Sequence, residues 1–155
     1  MRRAVLLLAL AVPALAAACG GSAEPKEQPR LTQKQFVQRA NAVCIRSDRR
    51  VFRIGTLSTD PAGWSKTVNA AATGIAEMAR LRPPAGREAQ FDRLLATARK
   101  LKAALADVRD ALAASENAKA RKALKRATDY DTSIKKQASR LGLTFCEQLL
   151  TNWPV

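Results

Sequence analysis

Residues 91–141, FDRLLATARKLKAALADVRDALAASENAKARKALKRATDYDTSIKKQASRL, hold the pattern that decides the fold. In the first half, Phe91, Leu94, Leu95, Ala98, Leu101, Leu105, Val108 and Leu112 recur at three-to-four spacing, which is one buried face of a helix. Continuing that stripe lands on Ser115, Glu116 and Lys119, all polar. Apolar spacing then resumes in a new phase at Ala120, Leu124, Ala127, Ile134, Ala138 and Leu141. The change of phase predicts a helix–helix turn near Ser115-Glu116-Asn117. One continuous helix is the alternative, because neither Gly nor Pro marks the break.

Working outward, Gly142 closes the fourth helix, with Leu143 placed for the apolar contact that accompanies such endings. Thr144-Phe145-Cys146-Glu147 then reads as a capping box opening a last turn or two, to about Leu150. Toward the N-terminus, the third helix begins near Gly86, after Pro83-Pro84 ends a second one. That second helix opens at Asp60-Pro61, an N-cap followed by proline at the first helical position, and turns Trp64, Val68, Ala71, Ala72, Ile75 and Met78 inward. A first helix starts at Leu31-Thr32-Gln33-Lys34-Gln35-Phe36, where Thr32 and Gln35 form a capping box and Leu31 and Phe36 a staple across it. Its buried face is Phe36, Val37, Ala40, Val43, Cys44, Val51 and Ile54, and Gly55 can end it in a left-handed conformation. Four amphipathic helices with short connections predict an all-α, up-down-up-down bundle over residues 31–155, with a short C-terminal helix.

The composition agrees. Of 155 residues 31 are Ala and only 5% are aromatic, so the core is thin and close-packed, and the chain favours helix. There is no His. That removes Ser-His-Asp and Cys-His catalysis, the di-iron Glu-x-x-His motif and every His-containing zinc site. The pairs Asp107/Asp110 and Asp129/Asp131 have the residue types that glycoside cleavage uses, but two acids on a helix are commonly just solvated. Asp131 falls in a gap of the fourth helix's stripe. The expectation is that Tyr130 takes the core position and Asp131 sits at its edge. Asn41, between Val37 and Cys44, reads as a satisfied core amide. No enzyme activity, cofactor or metal is expected.

Met1-Arg2-Arg3 is a positive start, and Ala4 to Ala18 carries no charge. The run is shorter than the ~20 apolar residues of a membrane-spanning helix and has the layout of a secretory signal. Leu15-Ala16-Ala17-Ala18-Cys19-Gly20-Gly21 resembles the lipobox of bacterial lipoproteins, although Ala16 stands where that family more often has Leu. The resemblance implies cleavage after residue 18, a diacylglycerol on the Cys19 thiol, and attachment to the outer face of the cell membrane. Gly20 to Arg30 (GGSAEPKEQPR) has no large apolar residue and reads as a flexible tether, so residues 19–30 link anchor to bundle.

Two cysteines remain, Cys44 and Cys146. An extracytoplasmic compartment permits a disulfide between them. A bond closing a loop of about a hundred residues is worth about 4.7 kcal/mol on chain entropy alone. Buried free thiols, or a two-thiolate metal site, are the alternatives. Cys44 lies about 18 Å along the first helix at ~1.5 Å per residue, so the tail must fold back from Gly142 to reach it.

The combination FVQRANAVCIRSDRR, a central LRPPAG before a long helix, and LGLTFC near the C-terminus resembles a loose group of small secreted or lipid-anchored helical proteins of actinobacteria, with one cysteine in each terminal element. The resemblance covers most of residues 31–150. It implies the architecture and the compartment, and no activity.

Charge is the remaining functional signal. The chain carries +14, and removal of Arg2 and Arg3 with the signal leaves +12. Arg39, Arg46, Arg50 and Arg53 lie along the first helix, and Lys119, Lys122, Lys125 and Arg126 crowd the start of the fourth. These are candidate anion-binding residues. An exported chain rarely meets nucleic acid, so anionic lipid, acidic wall polymer or a protein partner is the expected neighbour. The reading at this stage is a lipid-anchored, non-enzymatic binding module. The alternative is a carrier holding a small apolar ligand between its helices, with Trp64, Met78 and Phe91 as candidate lining residues. A pocket of several hundred Å³ with convergent polar groups favours the carrier, and a filled core with an exposed patch favours a protein or polymer partner.

Overall fold

The computed structural model describes residues 29–55 and 60–147. The expected signal, Cys19 and most of the tether lie outside the described residues, as does the tail from residue 148. Four long helices, α1 (Gln33–Phe52), α2 (Pro61–Ala79), α3 (Glu88–Ala113) and α4 (Asn117–Arg140), form an up-down-up-down bundle, and a single turn, α5 (Thr144–Glu147), follows. The fold is all-α.

The helix ends follow from local chemistry. Thr32 Oγ1 accepts from Gln35 N–H at 3.3 Å while Gln35 Oε1 accepts from Thr32 N–H at 3.1 Å, completing the capping box. Asp60 caps α2 by accepting from the N–H groups of Ala62 and Gly63, with Pro61 at the first helical position. The α3–α4 break falls where the apolar stripe changes phase. There Ser115 has φ 59°, its N–H bonds to the Leu112 carbonyl at 3.0 Å, and Glu116 N–H bonds to the Ala111 carbonyl at 2.7 Å. Those paired bonds make a Schellman ending, which usually has glycine at the left-handed position. Serine in that place explains why no breaker residue marks the turn. Gly142 (φ 75°) ends α4 with the same pair of bonds and leaves Leu143 fully buried.

One expected cap differs. Thr144 lies inside α5 rather than ahead of it, and Asn41 Oδ1 accepts from Phe145 N–H at 3.3 Å. The amide that was expected to be a satisfied core group is therefore half-buried and ties the C-terminal turn to α1.

Packing is uneven around the bundle. α3 packs against α2 and α4, and α2 against α1, but among the described residues no close backbone approach joins α1 to α4. α5 bridges that gap, touching both, and the Cys44–Cys146 disulfide bolts it to α1. The core consequently divides in two. At the tether end, Phe36, Ala40, Val43 and Cys44 of α1 meet Phe91, Leu94 and Leu95 of α3, Ala138 of α4, and Leu141, Leu143 and Cys146. Phe36 and Phe91 pack edge to face, with ring centroids 5.2 Å apart. At the other end, Trp64, Val68, Leu101, Leu105, Val108, Ala123 and Ala127 come from α2, α3 and α4 alone. α1 contributes nothing to that second cluster, and Phe52 near its end is 83% exposed.

Candidate functional site

A cavity of about 140 Å³ lies at the waist between the two clusters. α1 supplies Val43, Cys44, Ser47, Asp48 and Val51 to its wall, and α2 supplies Thr67, Ala70, Ala71, Gly74, Ile75 and Met78. Leu94, Leu95, Ala98, Leu101 and Leu105 of α3, Asp131 and Ile134 of α4, and Cys146 complete it. Of the three lining residues expected from sequence, Met78 is at the wall, whereas Trp64 and Phe91 belong to the packed cores on either side.

The cavity exists because small side chains face each other at the waist. Ala70, Ala71 and Gly74 on α2 oppose Ala98 on α3, so neither helix fills the space that a Leu would fill. Gly74 has a second role, since a Cβ there would collide with Ser47 Oγ on α1. Any larger residue there would force the Ser47 side chain to turn away. Beside this crossing the cavity reaches the surface at Asp48, which is exposed.

Asp131 reverses the expectation drawn from α4's stripe. It is buried, at 6% exposed, and Tyr130 is the partly buried neighbour packed at the edge of the second cluster. Lys135, one turn on, approaches Asp131 Oδ2 to 2.8 Å. Burial pushes the Asp131 carboxyl above its ordinary range, and the Lys135 hydrogen bond and charge oppose that shift without cancelling it. Thr67, 1% exposed, is the other buried polar side chain among the described residues, and its hydroxyl donates to the Gly63 carbonyl at 3.1 Å. Sequence reasoning passed over Thr67, although its spacing of three after Trp64 and four before Ala71 puts it on the inward face.

The basic candidates do not gather into one site. Arg46 and Arg50 converge on Glu77 of α2; Arg46 Nη2 lies 3.0 Å from Oε2, and Arg50 Nη2 bonds Oε1. Burial alone would raise the Glu77 carboxyl, but the hydrogen bonds and charges of the two guanidinium groups hold it below its ordinary value. Arg53 donates to the Arg49 carbonyl. Arg126 pairs with Asp107 at 2.7 Å, Lys119 with Glu116 at 2.6 Å and Lys125 with Asp129 at 3.7 Å. Arg39 and Lys122 are exposed and make no ion pair within the described residues. The carboxylate pairs singled out in the sequence are dispersed in the same way: Asp107 is bound by Arg126, Asp110 by Arg109 and Asp129 by Lys125, and only Asp131 of the four lines the cavity.

No protein-family model matches the chain, and neither a curated protein nor a solved structure is significantly similar to it. Fold and site define the class between them: a disulfide-closed helical bundle with an apolar pocket that opens to the surface beside α1. No helix of the described residues is long and apolar enough to cross a membrane.

Proposed function

We propose that the chain is a lipid-anchored, extracytoplasmic binding protein that carries a small apolar molecule in the waist pocket. The observation that supports this reading is the pocket itself. A dry cavity of about 150 Å³ lined by aliphatic side chains holds benzene or xenon, and the present one, at about 140 Å³, is of the same order and lined mostly by Ala, Val, Leu, Ile and Met. The volume lies below the several hundred Å³ of a drug-sized site, so the occupant is limited to about one aromatic ring. The basic faces lend less support to an anion-binding role, because Arg46, Arg50, Lys119, Lys125 and Arg126 already have carboxylate partners. The anchor rests on the Leu15–Cys19 stretch, and the tether would hold the bundle at the membrane surface where apolar molecules partition.

Titration of the mature protein with toluene, followed by the methyl signals of Ile75, Met78 and Ile134, tests the pocket. Saturable shifts confined to those methyls are expected, and Ala98→Leu should abolish them while the protein stays folded. Unchanged methyl signals at saturating toluene would remove the reading. For the anchor, Cys19→Ala should move the protein from the detergent phase to the aqueous phase. Identical partitioning of variant and wild type contradicts it.

A further inference from the structure

The ionised groups at the pocket wall are of one sign. In a chain with 27 Lys and Arg, no lysine or arginine lines the cavity, while two carboxylates, Asp48 and Asp131, and two hydroxyls, Ser47 and Thr67, do. The Thr67 proton is already given to Gly63, so that oxygen faces the cavity as an acceptor only. Asp131 is buried and held by Lys135 at a single oxygen, Oδ2. A carboxylate has about four lone-pair positions, so acceptor capacity remains beyond that bond. The wall therefore offers acceptors at the edge of an apolar space about the size of one aromatic ring.

We infer that the ligand is a small, neutral, apolar molecule bearing one hydrogen-bond donor, a hydroxyl or N–H, which Asp131 receives. This rests on the pocket being a binding site and specifies what it selects. An acid of the same size would bring a third carboxylate against Asp48 and Asp131. An ammonium donating to Asp131 would lie beside the Lys135 ammonium that already supplies the counter-charge, while the second carboxylate, Asp48, sits at the exposed mouth, and a buried charge without its own partner is costly. A neutral donor avoids both penalties. Leaving the ligand's donor unpaired in the pocket would cost it more than staying in water, so the acceptor also confers selection against molecules that place the donor elsewhere.

The test compares phenol with toluene, which differ by OH against CH₃ at nearly the same volume, together with benzylamine and benzoate, by calorimetry on the mature protein. Phenol should bind roughly tenfold more tightly than toluene, the worth of one hydrogen bond to a charged acceptor, and benzylamine and benzoate should bind more weakly than toluene. In Asp131→Leu, an apolar residue within an apolar stripe, the phenol preference should disappear while toluene still binds. If toluene binds wild type and phenol binds no more tightly, the inference is overturned and the pocket reading stands. The same holds if benzylamine binds best, or if the phenol preference survives in Asp131→Leu. Should that variant fail to fold, the wild-type ranking alone still decides. If none of the four binds, both readings fall.

Discussion

Removing the disulfide, by reduction or by the double substitution Cys44→Ala and Cys146→Ala, should cost the protein a large share of its stability. The bond closes a loop spanning 102 residues, and the restraint on the unfolded chain is worth about 4.7 kcal/mol for a loop of about that length. Measured values often fall below that model, so a loss of about 3–5 kcal/mol is expected. For a domain of this size each kcal/mol moves the melting temperature by roughly 3–5 °C, giving a fall of about 10–20 °C. The structure adds a local consequence. α1 has no close backbone approach to α4, and α5, only 4 residues long, links the two. An isolated turn of that length is not stable in water. Without the bond α5 should fray, and α1 should then be held chiefly by α2. Urea unfolding with and without reductant measures the global loss, and amide exchange its distribution: α1 and α5 should lose protection before α3 and α4. Coincident urea curves, agreeing within about 1 kcal/mol, would refute the loop argument, as would two alkylatable thiols in the unreduced protein. Uniform loss of protection across all helices would refute the bridging role of α5.

Three further outcomes concern the paired and buried charges. Glu77→Gln should destabilise the protein by about 1–2 kcal/mol at pH 7, since the wild-type carboxylate holds Arg46 and Arg50 and one of those guanidinium groups is partly buried. Because the folded Glu77 carboxyl lies below its unfolded value of ~4.3, this contribution is complete above that value and lost as pH falls through the folded one; a difference that persists undiminished at pH 2 contradicts it. Arg39→Glu should leave stability unchanged, whereas Arg50→Glu should lower it, and equal effects in thermal denaturation would dissolve the distinction between free and clamped arginines. Asp131 behaves oppositely: its carboxyl is raised by burial, so its protonation favours the fold. Asp131→Asn should therefore be more stable than wild type at pH 7 and lose that advantage as pH falls through the raised folded value, with none left below ~3.9, and a variant less stable than wild type at pH 7 would show that Lys135 outweighs the burial.

Much of the architecture was legible because it depends on local rules. The Thr32 and Asp60 caps, the Gly55 and Gly142 endings and the phase change before Ala120 each involve residues within a turn or two of one another, and a chain obeys such constraints largely independently of its partners. The pairing of Cys44 with Cys146 was legible for a different reason: once the lipobox resemblance sets Cys19 aside, two thiols and an antiparallel bundle leave one disulfide to make. The capping box at Thr144 failed because the Glu147 N–H that it needs bonds the carbonyl of Leu143, so the turn begins one residue earlier, where the reversal at Gly142 buries Leu143.

The site was far less legible. Apolar periodicity specifies which face of a helix points inward, but not how far the facing helix stands from it. Ala70, Ala71, Gly74 and Ala98 read in sequence as ordinary small core residues; only their meeting at one level of the bundle, where α1 draws close to α2 and stays clear of α4, turns them into a cavity. Asp131 was visible as an interruption in a stripe, yet the neighbouring Tyr130 could have taken the same place. The rotation of α4 about its axis chose between them, and that rotation is set by packing against α3. The arginines show the same limit, since a run of positive charge in one helix says nothing about the acid that Glu77 presents from the next. Sequence by itself determined the helices, their ends and the residues available to join them, because those are decided by neighbours along the chain. Tertiary structure alone decided which acid is buried, which arginines are free and where the core is left open, because those are set by distances between elements that no local pattern encodes.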